Sequence, residues 1–303
     1  MLFPVRCGVG LFLLLFGLTI YGQAPLHQSY LSVEIANDVF YLPLKTDRYF
    51  TSGMALEWGT ERRLRIGQNG HEPMTKCRYW RINQDLFTPN AIDSLQLMPG
   101  DRPFASYLTL SRGQRVTLPG LGLRMGWEWT GGVLGRYSFG GRMQNAFHGM
   151  IDFADEIPGW VHEVKPDVVI NGQFFLERSF IISQRDRLSF GTRARVGTLY
   201  TDLRPQAVIS NRWVRLGRRG YLGTRLEGSV RFVGYNATLS GGLFNRDGRY
   251  RGVVQPRRLV SSLGGSGGIY LPGFRIEAGV RWLSPEFRGG MEHLWAWFGA
   301  STR

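Results

Sequence analysis

Cysteine is nearly missing from this chain and lysine is scarce. Past the first two dozen residues, no apolar run is long enough for a membrane helix. Each shortage excludes something. Of the 2 cysteines, Cys7 falls in the apolar N-terminal stretch and Cys77 is left alone. No intrachain disulfide is therefore expected, and no cysteine-ligated metal. The lack of an 18-residue apolar segment beyond the N-terminus excludes helical membrane spans. No G-x-S-x-G elbow and no H-E-x-x-H pair is present, which leaves serine-hydrolase and zinc readings without support.

What is present begins with "MLFPVRCGVGLFLLLFGLTIYGQA". Arg6, an apolar core from Val9 to Ile20, and small residues at Gly22 and Ala24 read as a secretory signal peptide. Residues 1–23 are assigned to it, and residues 24–303 to one domain. The net charge is +14, and only Lys45, Lys76 and Lys165 are lysines, so arginine carries it. Arginine's planar fork suits phosphate. An exported chain meets phosphorylated surfaces such as lipopolysaccharide or phospholipid headgroups, so no nucleic-acid partner is expected.

Glycine is frequent (41 residues) and aromatics reach 13%, a composition of many strands and turns. "SYLSVEIAND" sets Tyr30, Ser32, Glu34 and Ala36 against Leu31, Val33 and Ile35. "LGLRMGWEWTG" sets Leu121, Leu123, Met125, Trp127 and Trp129 against Gly122, Arg124, Gly126, Glu128 and Thr130. One face is greasy and the other polar or glycine, with period 2. Similar segments start at Phe50, Pro103, Val168, Asp186, Tyr221, Asn236, Gly252, Ile269 and Met291. Several approach the ~9–11 residues of a tilted membrane strand. Glycines inside strands and aromatics near their ends favour a transmembrane barrel over a soluble sandwich. The predicted fold is all-β, an outer-membrane β-barrel of about twelve antiparallel strands.

One segment breaks the rhythm. In "GGRMQNAFHGMIDFADEIPGW" (140–160), Met143, Phe147, Met150 and Ile151 share a helical face, and Pro158-Gly159 ends it. Gln144 and His148 stand one turn apart on the same helix. Of the 5 histidines, His27, His71, His162 and His293 have no such neighbour. Histidine is the usual general base near neutral pH, and Gln144 stands where it could orient the ring of His148. Acidic oxygens recur at Asp38, Asp47, Asp101, Asp152, Asp155 and Glu156. Asn37-Asp38, Thr46-Asp47 and Thr51-Ser52 are ordinary turn residues by composition, and the same oxygens would suit a hard cation such as calcium.

Taken in order, "ANDVF…TDRYFTSGMALEW", "GDRPFASYLTL", "MQNAFHGM…PGW", "GTLYTD" and "YNATLSGGLF" resemble the LpxR family, the outer-membrane lipid A 3′-O-deacylases. The resemblance implies a twelve-stranded barrel with its site at the outer rim, between the wall and a helix in an extracellular loop. It implies calcium-dependent hydrolysis of the 3′-linked acyl (acyloxyacyl) ester by a water that His148 activates, with Gln144 its neighbour. Asn37 and Asp38 fall on the metal side, Thr51 matches the family's site threonine with Thr46 as the weaker candidate, and Arg102 matches a residue that meets substrate phosphate or carbonyl. Lipid A in the outer leaflet is the implied substrate, outer-membrane lipids are the surroundings, and the barrel is expected as a monomer. Ser52, Phe50, Phe104 and Ser106 depart from the family's common Asn, Tyr, Tyr and Gly. Asp101 stands where a lysine is expected, which would weaken the positive charge near a lipid phosphate. The alternatives are an outer-membrane phospholipase or other acyl-ester hydrolase, and a non-catalytic barrel.

Overall fold

The computed structural model describes residues 27–38, 40, 48–66, 72–90, 100–151, 157–246, 248–250 and 254–302, with the side chains of 147, 150 and 151 excepted. The expected signal peptide, Thr46 and Asp47 lie outside the described residues. Twelve strands follow in order: β1 His27–Asn37, β2 Tyr49–Ile66, β3 Glu72–Thr88, β4 Ala105–Leu118, β5 Leu123–Leu134, β6 Asp167–Ile181, β7 Asp186–Gly197, β8 Tyr200–Leu216, β9 Gly220–Asn236, β10 Leu259–Leu271, β11 Phe274–Leu283 and β12 His293–Thr302. Each pairs antiparallel with its sequence neighbour, and β12 pairs back onto β1, so the barrel closes without an edge. Helix α1 (Gly140–Ile151) and a 3-10 turn (Pro158–His162) lie between β5 and β6. A single helical turn, α2 (Ala237–Ser240), follows β9.

The alternation sorts as predicted. Leu31, Met54, Trp80, Trp129, Ile170 and Leu226 face outward and are exposed, Trp129 by 65%. Glu34, Arg81, Glu128, Arg193 and Glu227, at the alternate strand positions, line the lumen. An apolar belt outside and charge inside is the arrangement of a strand between lipid and water. Short turns close one rim, and longer connections close the other apart from the two-residue β7–β8 turn.

Three readings needed revision. β3 and β8 were not singled out from sequence. β3 carries Lys76 and Arg78 on its outward face, and β8 contains Pro205 and two register shifts, at Thr201/Asp202 and Arg212/Val214, that break the period. The segment starting at Asn236 was expected to be a strand but turns into α2. There the Asn236 side chain accepts from the Thr238 N–H at 3.0 Å as an N-cap.

At the long-loop rim the lumen is filled. Tyr49, Phe87, Tyr107, Tyr200 and Phe287 form a buried cluster with Leu239 and Val254. Into it runs Arg102, whose side chain has 0% exposure. Its guanidinium lies 4.3 Å from the Phe87 ring centroid, 3.3 Å from Glu286 and 3.1 Å from the Thr238 hydroxyl. Arg231 holds the other Glu286 oxygen at 2.7 Å. Burial alone would raise the Glu286 carboxyl, but Arg231 and Arg102 outweigh it and hold it below the usual range.

Candidate active site

The candidate residues sort by strand register. On β3 and β4, Asp85, Phe87, Tyr107 and Thr109 line the lumen, so the alternate positions Gln84, Leu86 and Ser106 face outward. At the long-loop rim the outward positions stand in one lateral row. Asn37 pairs with Ser52, Ser52 with Leu86, and Leu86 with Ser106. Helix α1 meets the far end of this row, since a Cβ at Gly140 would strike Ser106 and come within 3.1 Å of Leu86. The helix packs on β3 and β4. It therefore rests on the outside of the barrel wall, beginning where the row from Asn37 ends.

Local chemistry fixes the helix there. Phe139 takes a left-handed conformation (φ 61) before it. At Gly141 a Cβ would come within 2.7 Å of the Trp160 ring. That ring packs on Phe104 with centroids 5.0 Å apart. Trp160 Nε1 donates to Gln144 Oε1 at 3.0 Å, and the Ile157 N–H donates to Asn145 Oδ1 at 3.1 Å. These two bonds lash the 3-10 turn to α1. Gly141→Ala should displace the helix from Trp160, lowering any activity of His148 at least tenfold with the barrel intact. Kinetics beside a heat-shift gel would check this.

A buried polar knot sits under the helix start. Ser106 Oγ lies 2.5 Å from Ser138 Oγ and donates to Glu163, while Gln84 Nε2 donates to the Ser138 carbonyl at 2.6 Å. Burial pushes the Glu163 carboxyl up to about 7, although the Ser106 bond opposes the shift. Its folded value lies above the unfolded one. Its contribution to stability is therefore full below the ordinary glutamate range and lost as pH rises through about 7. Glu163→Gln retains an acceptor for Ser106 and removes the titration. Proteolysis of the 135–166 segment should accelerate in the wild type between pH 5 and pH 8 and stay level in the variant.

The expected site residues can now be placed. Asp38 is 1% exposed; its Oδ2 accepts from the Arg48 N–H at 3.0 Å, and its own N–H reaches the Thr51 carbonyl at 3.4 Å. Thr51 is buried, with its hydroxyl 2.7 Å from that of Thr88. Asn37, Asp38 and Thr51 thus meet at the β1–β2 rim. His148 is half-buried on α1.

Three expectations change. Arg102 does not reach the outer wall, because its guanidinium is sealed in the plug against Glu286, and so it serves as a strut. Met143, assigned to the helix's packed face, is exposed, while Gln144 is only 7% exposed. Nor does Gln144 hold the His148 ring. Indole N–H is donor only, so the Trp160 bond fixes Oε1 as acceptor and assigns the other amide atom as NH2. That Nε2 is buried without a hydrogen-bond partner among the described residues.

Trp160, Ser138 and Glu163 escaped the sequence reading. "PGW" offered a hint of Trp160, whereas no local pattern marks Glu163, which depends on a serine 57 residues away. Asp101 caps its own loop, accepting from the Asn90 and Arg102 N–H groups at 2.7 Å each.

The donors at the β1–β2 rim are all oxygens: a buried carboxylate, an amide and a threonine. This set fits a hard divalent cation rather than a soft one. No cluster of three or more His, Cys, Asp or Glu occurs among the described residues, so neutral oxygens would complete such a site.

A closed twelve-stranded antiparallel barrel with an apolar belt, a plugged rim and a helix against its outer wall has the build of an outer-membrane barrel. A family model described as "Outer membrane protein LpxR" matches residues 10–209, and the chain belongs to that family of outer-membrane proteins. Among solved structures, LpxR from Salmonella typhimurium superposes with a TM-score of 0.73 at 19% identity, covering 90% of this chain and 99% of that one. The β domain of the Bordetella autotransporter BrkA gives a TM-score of 0.49 at 8% identity, covering 92% and 99%. No protein of curated function matches the sequence.

Proposed function

We propose that this protein is a lipid A deacylase that hydrolyses the 3′-linked acyl ester in the outer leaflet, with the long-loop rim facing outward. The observation that carries the reading is the Gln144 amide. A buried donor left unbonded costs ~1–3 kcal/mol, and here it sits one helical turn from a histidine on a lipid-facing wall. Such a donor suits a carbonyl oxygen that becomes negative.

The geometry supports the rest. Three strand spacings separate Asn37 from Ser106, ~14 Å, and the helical rise from Gly140 to His148 is ~12 Å. A helix that begins at β4 and packs back over β3 would bring His148 toward the Asn37–Asp38 end of the row. His148 accepts a proton from the attacking water, and Gln144 Nε2 donates to the ester oxygen. Asp38, with Asn37 and Thr51, would hold calcium, which supplies positive charge beside that oxygen when bound. Exposed Arg136 and Arg142, flanking and within α1, grip the lipid phosphates in place of Arg102.

The filled lumen speaks against a porin. Gln144→Ala should lower kcat by ~10²-fold with little change in KM, since the lost bond strengthens only in the transition state. To test the substrate class, purified protein is given hexa-acylated lipid A in one tube and phosphatidylcholine in another. Loss of 3′-linked chains from lipid A alone is expected. Cleavage of phosphatidylcholine alone would move the reading to a phospholipase, and cleavage of neither to a non-catalytic barrel.

A further inference from the structure

Beneath the aromatic plug the lumen is a polar cavity of about 520 Å³. Most of its carboxylates are engaged. Glu57 pairs with Arg115, Glu227 with Arg281 at 3.0 Å and Arg225 at 3.3 Å, and Glu286 with Arg231 at 2.7 Å. Glu128 accepts from Tyr79 at 2.8 Å, Asp85 accepts from Tyr107, and Asp202 pairs with Arg195. Glu177 takes a long bond of 3.5 Å from Gln206, and Glu34 stands on β1, away from β7 and β8.

Arg193 and Arg204 are the anomaly. They stand directly opposite each other on β7 and β8 and both line the cavity. Neither is ion-paired among the described residues. The Nε of each is buried without a hydrogen-bond partner. Arg204 donates to Gln206 at 3.3 Å, which leaves most of the pair's N–H groups uncommitted within the protein. Like charges at directly opposite positions work against folding. Phe175 stands opposite Arg193 on the other side, and Arg195 lies 4.1 Å from the Tyr200 ring centroid one inward step nearer the plug. Two forked cations thus stand side by side on the cavity wall next to Phe175, a pairing suited to a tetrahedral dianion.

We propose that the Arg193–Arg204 pair binds a phosphate or phosphomonoester group inside the lumen, separate from the outer-wall site. Arginine forks, rather than a metal or a helix end, would hold it.

The test is isothermal titration calorimetry on the full chain in detergent, with inorganic phosphate and, separately, dihexanoyl phosphatidic acid. Saturable phosphate binding is expected, weakened about tenfold or more in Arg193→Gln and in Arg204→Gln. Arg204→Lys keeps the charge but not the fork and should fall between. Tighter binding of phosphatidic acid would identify a lipid headgroup as the source, and equal or weaker binding a soluble anion. A heat-shift gel checks folding, and lipid A hydrolysis should be unchanged in all three variants. The proposal is overturned if the wild type binds no phosphate saturably, or if both glutamine variants bind it as tightly. Should the glutamine variants not fold, unchanged phosphate affinity in Arg204→Lys overturns it.

Discussion

His148→Ala should lower ester hydrolysis by about 10²–10⁴-fold while the barrel folds normally. The imidazole is the only histidine on α1, and α1 lies outside the twelve strands, with Trp160 bonded to its Gln144. The heat-shifted band on a gel should therefore match wild type, and only the chemistry should fail. His148→Gln should be equally inactive, because an amide fills the space but takes no proton. Lipid A hydrolysis by either variant within threefold of wild type would remove His148 from the mechanism.

Asp38→Asn should cost about as much activity, by a different route. Asparagine retains an oxygen for the Arg48 N–H, so the loop's bond at 3.0 Å can persist, while the buried negative charge of Asp38 is lost. Calcium bound to the folded wild type should raise its melting temperature, because a ligand that binds only the native state stabilises it. In Asp38→Asn that rise should vanish over the same concentrations. An unchanged calcium-dependent rise in the variant would move the cation elsewhere. Asp38→Ala is the harsher change, since it also leaves the Arg48 N–H without its acceptor.

The barrel was legible because its physics is periodic. Trp127 and Trp129 alternating with Glu128 can serve only a wall between lipid and water. Where the period fails, as at the register shifts of β8, the strand was missed. The helix was legible from the spacing of Met143, Phe147, Met150 and Ile151, but it runs only to Ile151, and Pro158-Gly159, expected to end it, opens the 3-10 turn beyond. Its orientation was not, since apolar Met143 looked like the packed face and polar Gln144 lies buried instead. Burial there depends on Trp160, an indole delivered by a turn beyond the helix. Arg102 shows the same limit. A lone arginine in a loop reads as a ligand for phosphate until Glu286, 184 residues away, is seen to hold it. The site residues nearest one another in sequence were the readable ones.

Metal-assisted deacylation of lipid A at the outer wall is the proposed reaction. The most direct measurement is the mass spectrum of lipid A incubated with the purified protein in calcium and in excess chelator. Loss of the 3′-linked acyl chains in calcium and an intact spectrum in chelator are expected, with activity restored when calcium is returned. An intact spectrum in both conditions, or equal loss in both, would contradict it.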